Sequence, residues 1–215
     1  MQSNATPFVP TRELAAKVLA TVDAGLSAGL GKPIPGQMCV EAAVCFAMGL
    51  PHSDDPGCVA QSVRELKINL NDRPWSSKQA RAEGMRRLAI IQLGTKDTLN
   101  EAEFTKRLAE ASIRKIVPKA LRAALTLFKA GSSQREALEE AAKRCETEGT
   151  KDAARAAADA ARAAADAAAY AADAAADAAD AAAYDKALGE FAEIVVQILI
   201  EMGAPAAQFL DLAPL

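Results

Sequence analysis

The sequence predicts an all-α fold of about eight helices, and three observations support this prediction. Apolar residues recur at three- and four-residue spacing along most of the 215 residues. Glycines, prolines and capping residues divide these periodic stretches into segments of helix length. From residue 152 to residue 184 the chain is mostly alanine, the residue with the highest helix propensity. We therefore expect two small helical subdomains, residues 1–95 and 96–215, with a long alanine-rich helix over residues 150–202 in the second.

Composition excludes several classes of protein. A net charge of −3 does not favour a strongly basic nucleic-acid-binding protein. The chain contains no run of about 18 or more bulky apolar residues, so we predict no helix that spans a membrane. The first ten residues lack the basic and apolar regions of a secretory signal, and 4 cysteines are too few for a disulfide scaffold. We expect a cytoplasmic protein.

Four helices are predicted in the N-terminal subdomain. The first begins after Thr11, which is placed to cap it. Residues 38–50 are almost uncharged and predict a helix that is buried on nearly all sides. Asp55 is placed to cap the third helix, and Ser76 and Ser77 to cap the fourth.

The C-terminal subdomain begins with Asn100 and Glu103, which resemble a capping box. An amphipathic stretch follows, in which Pro118 either kinks one helix or separates two. Residues 133–136 form a second capping box, Ser-Gln-Arg-Glu. The last helix and the tail over residues 209–215 are strongly apolar, which indicates burial against another copy of the chain or a partner.

The polar residues of the alanine-rich segment predict one narrow stripe on a helix. Their spacing alternates between three and four, and the first half of the stripe alternates acidic with basic residues, which supports the helix. Asp173, Asp177 and Asp180 have no basic neighbour, so this ridge needs a cation, a basic partner or solvent. A continuous helix over residues 150–202 would be about 78 Å long. Such a helix either folds back near Gly189 or projects into an assembly.

Opposite charges are concentrated in two stretches of the C-terminal half. Residues 106–129 hold seven basic residues and one acidic residue, whereas residues 146–185 hold nine acidic and three basic residues. We expect the two stretches to lie antiparallel, within one chain or between copies. A phosphate-binding surface over residues 106–129 is the alternative, which lacks interleaved aromatic residues and glycine-rich loops. The predicted interaction residues are Arg114, Lys115, Lys119, Arg122, Asp173, Asp177 and Asp180.

The cysteines and the single histidine do not predict a metal or catalytic site. Cys39, Cys45 and Cys58 are six and thirteen residues apart, unlike the close pairs that bind zinc. Cys39 begins a helix, which lowers a thiol pKa, but His52 follows the other end of that helix, about 18 Å away. We therefore predict no catalytic, cofactor-binding or metal-binding residues and no cofactor. Glu41, in the same apolar helix, needs a partner, which we expect to be an arginine: Arg64, Arg81 or Arg86.

Two polar loops predict the best candidate for a small-ligand surface. They lie over residues 51–57 and 71–75, and capping roles explain Asp55 and Asp72 equally well. No phosphate-binding loop, dinucleotide fingerprint or common hydrolase motif is present in the sequence. The candidate ligand residues on these loops are His52, Asp54, Asp55, Asp72, Arg73 and Trp75.

Several segments resemble a family of uncharacterised bacterial and phage-type hypothetical proteins. They are Gly36-Gln-Met-Cys-Val-Glu-Ala-Ala-Val, Gly49-Leu-Pro-His-Ser-Asp-Asp-Pro, Leu70-Asn-Asp with Trp75-Ser-Ser, and Arg87-Leu-Ala-Ile-Ile-Gln-Leu-Gly. Some members are similar in carrying an alanine–aspartate–tyrosine helical repeat before an apolar C-terminal helix. The resemblance covers most of the chain and implies a prokaryotic or viral source, but no activity and no site.

We expect a non-enzymatic helical interaction or assembly protein. It would self-associate or bind a protein partner through its alanine-rich and apolar C-terminal helices. The first alternative is an enzyme or small-ligand-binding protein that uses the loops around His52 and Trp75. The second is a nucleic-acid-associated protein that uses residues 106–129.

Overall fold

The computed structural model describes residues 8–168 and 180–215, and within these ranges the chain is all-α, as predicted. An isolated antiparallel bridge between Gly31 and Met38 is the only β pairing in the same ranges. A π-helical turn at Ser112–Ile116 and short 3-10 segments at Leu125–Leu127 and Pro205–Leu212 accompany the α-helices. The α-helices are α1 (Arg12–Asp23), α2 (Val40–Ala47), α3 (Gln61–Asn71), α4 (Lys78–Ile91), α5 (Glu101–Ala111), α6 (Val117–Ala124), α7 (Ser133–Glu148), α8 (Lys151–Ala168) and α9 (Asp180–Glu201).

These helices form two compact units. In the described ranges, unit 1 contains residues 8–105 and 180–215, and unit 2 contains residues 106–168. This division differs from the boundary that we predicted between residues 95 and 96. The apolar face of α9, with Val195 and Leu199 fully buried, packs against α4 of the N-terminal half. The apolar surface that we expected a partner to cover is thus largely covered within unit 1.

Unit 1 is organised around α4, which α1, α2, α9 and the last 3-10 segment contact. Residues 40–45 of α2 are all buried, as predicted, but the helix ends at Ala47 and Phe46 is exposed, so the prediction for residues 38–50 is confirmed only in part. The ring of Trp75 packs on α4 at Gly84, where a Cβ atom would lie 2.3 Å from Cη2 of the indole. Gly189 of α9 comes close to the same position of α4. Glycine at residue 84 therefore makes room for the indole at the contact of α4 with α9.

Two helix caps of unit 1 form where the sequence predicts them, and a third does not. The hydroxyl of Thr11 accepts a hydrogen bond from the backbone N–H of Leu14, 3.2 Å away, and Ser77 caps α4 in the same way. The prediction for Asp55 is wrong, because α3 begins later, after Ala60. Asp55 instead accepts a hydrogen bond from the backbone N–H of Gly57 within the loop, over 3.0 Å.

Unit 2 is built from α6, α7 and α8 after the π-helical turn that precedes Pro118. Ser132, one residue before the predicted box, caps α7 by accepting from the backbone N–H of Arg135. Residues 169–179 lie outside the described residues, and so does part of the predicted helix over residues 150–202. The buried core of unit 2 consists of Leu121, Leu138, Ala141, Ala142, Cys145, Ala153 and Ala157.

Candidate functional site

The two polar loops of unit 1 contact a common neighbour, the loop between α1 and α2. Nε2 of His52 lies 3.2 Å from the carbonyl oxygen of Gly31. Oδ1 of Asp72 accepts a hydrogen bond from the backbone N–H of Gly29 over 2.8 Å. Backbone groups of this third loop therefore lie between the two polar loops.

The other residues of the predicted ligand surface have structural partners or face elsewhere. Arg64 of α3 forms ion pairs with Asp55 at 3.2 Å and, more loosely, with Asp54 at 3.9 Å. Trp75 is buried, and its indole N–H donates to the carbonyl of Leu70 over 3.0 Å. Arg73 is exposed on the surface. The tryptophan therefore belongs to the core of unit 1, and its place in a ligand surface was predicted wrongly.

A small cavity lies between the loops and the start of α2. Its volume is about 90 Å³, and Asp54, Asp72, Cys39 and Asn71 are among the residues that line it. Pockets for organic ligands usually measure about 300–1,000 Å³. This cavity has room for a few water molecules, so the small-ligand alternative gains no specific support from it.

Glu41 and Lys67 form an ion pair in the interior of unit 1. Nζ of Lys67 lies 3.3 Å from Oε1 of Glu41, and neither side chain is exposed to solvent. Burial raises the pKa of Glu41 and lowers the pKa of Lys67, because each group loses hydration that its charged form needs. Among the described residues, these carboxylate and ammonium atoms have no other hydrogen-bond partner.

The partner of Glu41 is thus a lysine, and our expectation of an arginine is wrong. Lys67 comes four residues after Val63 and three before Leu70, so it lies on the apolar face of α3. A lysine in the middle of an apolar stripe was the signal in the sequence that points to a buried pair. Arg81, one of the expected partners, instead donates from Nε to the backbone carbonyl of Asn71 over 2.7 Å.

All four cysteines are buried free thiols. Burial is the largest cause that raises the pKa of Cys39, and it raises the pKa of Cys45 to about 11. The pKa of Cys58 is raised for the same reason. These thiols are protonated near neutral pH and hidden from solvent, which does not favour a cysteine nucleophile. In the part of the chain that the structure describes, no three histidine, cysteine or acidic side chains form a group suited to a metal ion.

The basic residues that we proposed as an interaction surface pair largely within unit 2. Arg122 forms ion pairs with Glu139, at 3.2 Å, and with Glu146, both on α7. The guanidinium of Arg114 donates to three carbonyls in the last turn of α7, at 2.7, 2.7 and 2.9 Å. These contacts of the basic stretch go to α7, and Glu146 at the end of α7 belongs to the predicted acidic stretch over residues 146–185.

The remaining residues of the predicted interaction surface do not decide whether it binds a partner. Lys115 and Lys119 are exposed on unit 2. Asp173 and Asp177 lie outside the described residues, and Asp180 is the first residue of α9. The acidic ridge therefore stays a prediction.

Helix α8 presents two different faces. Ala153 and Ala157 are buried in the core of unit 2 against α7. Asp152, Arg155 and Asp159 are exposed, and Arg155 lies 3.6 Å from Asp152 along the helix. The polar stripe predicted from the spacing is confirmed for this first part of the segment.

Comparisons with known proteins give no family. No family model, curated protein or solved structure matches the chain. Among the helices of the described ranges, none combines the length and apolar character needed to cross a bilayer. Proposals about function therefore depend on the residues and contacts described above.

Proposed function

We propose that this protein is a non-enzymatic interaction or assembly protein, and that the alanine-rich helix α8 is its association surface. The observation that carries the proposal is the packing of α8 within unit 2. Ala153 and Ala157 of this helix already serve as a close helix–helix contact. Small side chains allow helix axes to approach closely, so the same helix is suited to a second helical neighbour.

The sequence of α8 leaves much of its circumference alanine. Between residues 152 and 168 a polar residue occurs only at every third or fourth position, and all the remaining residues are alanine. One helical neighbour covers only part of such a surface. Ala154 is only half-buried and lies about 100° around the helix axis from the buried Ala153, so it marks a second face of α8. This second face is the proposed contact with another copy or a helical partner.

The apolar C-terminal helix supports the proposal less than we expected. Its apolar side is buried in unit 1, which leaves few large apolar residues of α9 accessible, such as Ile200 at 36% exposure. The alternatives gain no specific support either. The loop cavity is small, and Arg114 and Arg122 already bind α7. Assembly through α8 is therefore the function that the geometry supports best.

Sedimentation equilibrium of the full chain and two variants tests the proposal. Ala154→Glu adds a carboxylate to the proposed contact face, and it should reduce self-association at least about tenfold, since burying an unpaired charge is costly. Ala120→Glu is the matched control, because Ala120 is an exposed helical alanine of unit 2 outside α8.

The control should associate like the parent protein, and circular dichroism should show equal helix content in all three proteins. An Ala154→Glu variant that associates as strongly as the parent protein would contradict the proposed surface. A parent protein that stays monomeric directs the search to a heterologous partner, and equal binding of that partner by the α8 variant would contradict the proposal as well.

A further inference from the structure

We propose that unit 2 is an acid-sensitive conformational switch, whose helices separate below about pH 4.5 while unit 1 stays folded. The inference goes beyond association through α8, since it concerns how unit 2 is held together. Two features of the described residues carry it: a core made mostly of small side chains, and a network of arginine and glutamate groups that joins α6 to α7.

The core of unit 2 contributes little apolar area for its length. Four of the seven buried residues of this core are alanine, and its two buried leucines, Leu121 and Leu138, pack with the partly buried Ile113, Val117, Leu125 and Phe128. Hydrophobic stabilisation scales with the apolar area removed from water, so an alanine methyl contributes much less than a leucine. In unit 1 the fully buried side chains are larger and more numerous. They include Phe104, Met38, Met85, Leu88, Ile90, Ile91 and Leu199.

Arg122 is the centre of the polar network in unit 2. Its guanidinium bridges Glu139 and Glu146, which lie seven residues apart on one face of α7. The hydrogen bond from Nη2 to Oε2 of Glu146 measures 2.9 Å. One side chain of α6 therefore binds two turns of α7.

Arg114 adds a second link, between the π-helical turn and α7. Its bonds to the last three carbonyls of α7 satisfy acceptors that the end of a helix leaves unpaired. Gly149 makes this approach possible, because a Cβ atom there would lie 2.4 Å from Nε of Arg114. Glu110 also pairs with Arg114, at 3.1 Å.

Acid removes the carboxylate side of this network. The hydrogen bond from Arg122 lowers the pKa of Glu146 below its ordinary value of 4.5. The pKa of Glu148 is also lowered, by a bond from Arg144 within α7 itself. Because the folded form binds protons less readily than the open form, this stabilisation is present above about pH 4.5 and is lost as the pH falls through the folded pKa values. The arginines keep their charge, so the basic residues of α6 and its flanks then repel one another.

The charged groups around the network come from every element of unit 2. The charged residues on these elements are Lys106, Arg107 and Glu110 of α5, Arg114 and Lys115 of the π-helical turn, Lys119 and Arg122 of α6, Arg135, Glu136, Glu139, Glu140, Lys143, Arg144, Glu146 and Glu148 of α7, and Lys151, Asp152, Arg155, Asp159, Arg162 and Asp166 of α8. Basic groups outnumber the carboxylates once the glutamates are protonated.

Unit 1 also contains carboxylates that acid affects. Arg12 lowers the pKa of Asp211, and the backbone N–H of Ser62 lowers the pKa of Glu101. These contacts lie near the surface of a unit whose core has many large apolar side chains. We therefore expect unit 1 to weaken in acid but to unfold at a lower pH than unit 2.

Two probes in the full chain separate the units. Trp75 is the only tryptophan, so its fluorescence reports unit 1. Cys145 is buried in the core of unit 2 and reports that unit when Cys39→Ser, Cys45→Ala and Cys58→Ala remove the other thiols. On titration from neutral pH into acid, 4,4′-dithiodipyridine should label Cys145 at least about tenfold faster before the tryptophan emission shifts.

Glu139→Gln with Glu146→Gln should abolish most of this pH dependence, because these are the two carboxylates that Arg122 bridges. Labelling should then be slow throughout, or already fast at neutral pH if glutamine cannot hold Arg122. Glu136→Gln, at an exposed position in the first turn of α7, should leave the titration unchanged. Hydrogen exchange of the parent protein needs no cysteine substitutions, and it should also show unit 2 opening at a higher pH than unit 1. Coincident changes in both units, or an unaltered Cys145 titration in the double variant, would overturn the proposal.

Discussion

Replacing Lys67 with methionine removes the buried ammonium group and keeps an unbranched side chain in the same space. Glu41 then remains as a carboxylate with no exposed surface and without its partner 3.3 Å away. Breaking a buried ion pair from one side typically costs about 3–5 kcal/mol. We expect a value near the lower end, about 3 kcal/mol, because the raised pKa of Glu41 lets it take up a proton.

Removal of both charges should have a much smaller effect. The double variant Glu41→Leu, Lys67→Met leaves no unpaired charge, and the pair makes no other hydrogen bonds that would repay its loss of hydration. Its free energy of unfolding should lie within about 1 kcal/mol of the parent value, or above it. The single substitutions should each destabilise more than the double substitution does.

Urea unfolding followed by the fluorescence of Trp75 measures these free energies in unit 1. Lys96→Met is the matched control, since Lys96 is exposed, and it should change the free energy by less than about 0.5 kcal/mol. A Lys67→Met protein as stable as the control would refute the reasoning. So would a double variant whose destabilisation equals the sum of the two single effects.

Three further substitutions test other contacts. Gly84→Leu should destabilise unit 1 by about 1–3 kcal/mol in urea unfolding, because its side chain would overlap the indole of Trp75. Asn71→Ala should cost about 1–3 kcal/mol by the same assay, since it leaves the buried backbone N–H of Val40 without its acceptor. Arg114→Met should increase hydrogen exchange in the last turn of α7, whose three carbonyls lose their donor. Unchanged exchange there would contradict the capping role of Arg114.

Local features of the fold were predictable from short stretches of sequence. Thr11 and Ser77 cap their helices because a hydroxyl before a periodic segment needs only its own next residues as partners. The enclosed helix α2 followed from its lack of charge. Asp55 shows the limit of such signals: an aspartate before Pro56 and Gly57 has the same local pattern in a loop as at the start of a helix.

Contacts between distant segments were not predictable in the same way. An apolar stripe shows that α9 is buried, but not that α4 covers it, so the division into units differed from our boundary. The polarity of Trp75's neighbours in the sequence suggested a surface residue, whereas Gly84 of α4 makes room for its ring in the core. For Glu41 the need for a partner was clear, and only the packing of α3 on α2 identified Lys67.

Light scattering coupled to size-exclusion chromatography tests the proposed assembly most directly. The full chain should elute as a species with a multiple of its 22.4 kDa mass. The fraction of that species should rise with protein concentration. A mass of 22.4 kDa at every concentration would contradict self-association through α8.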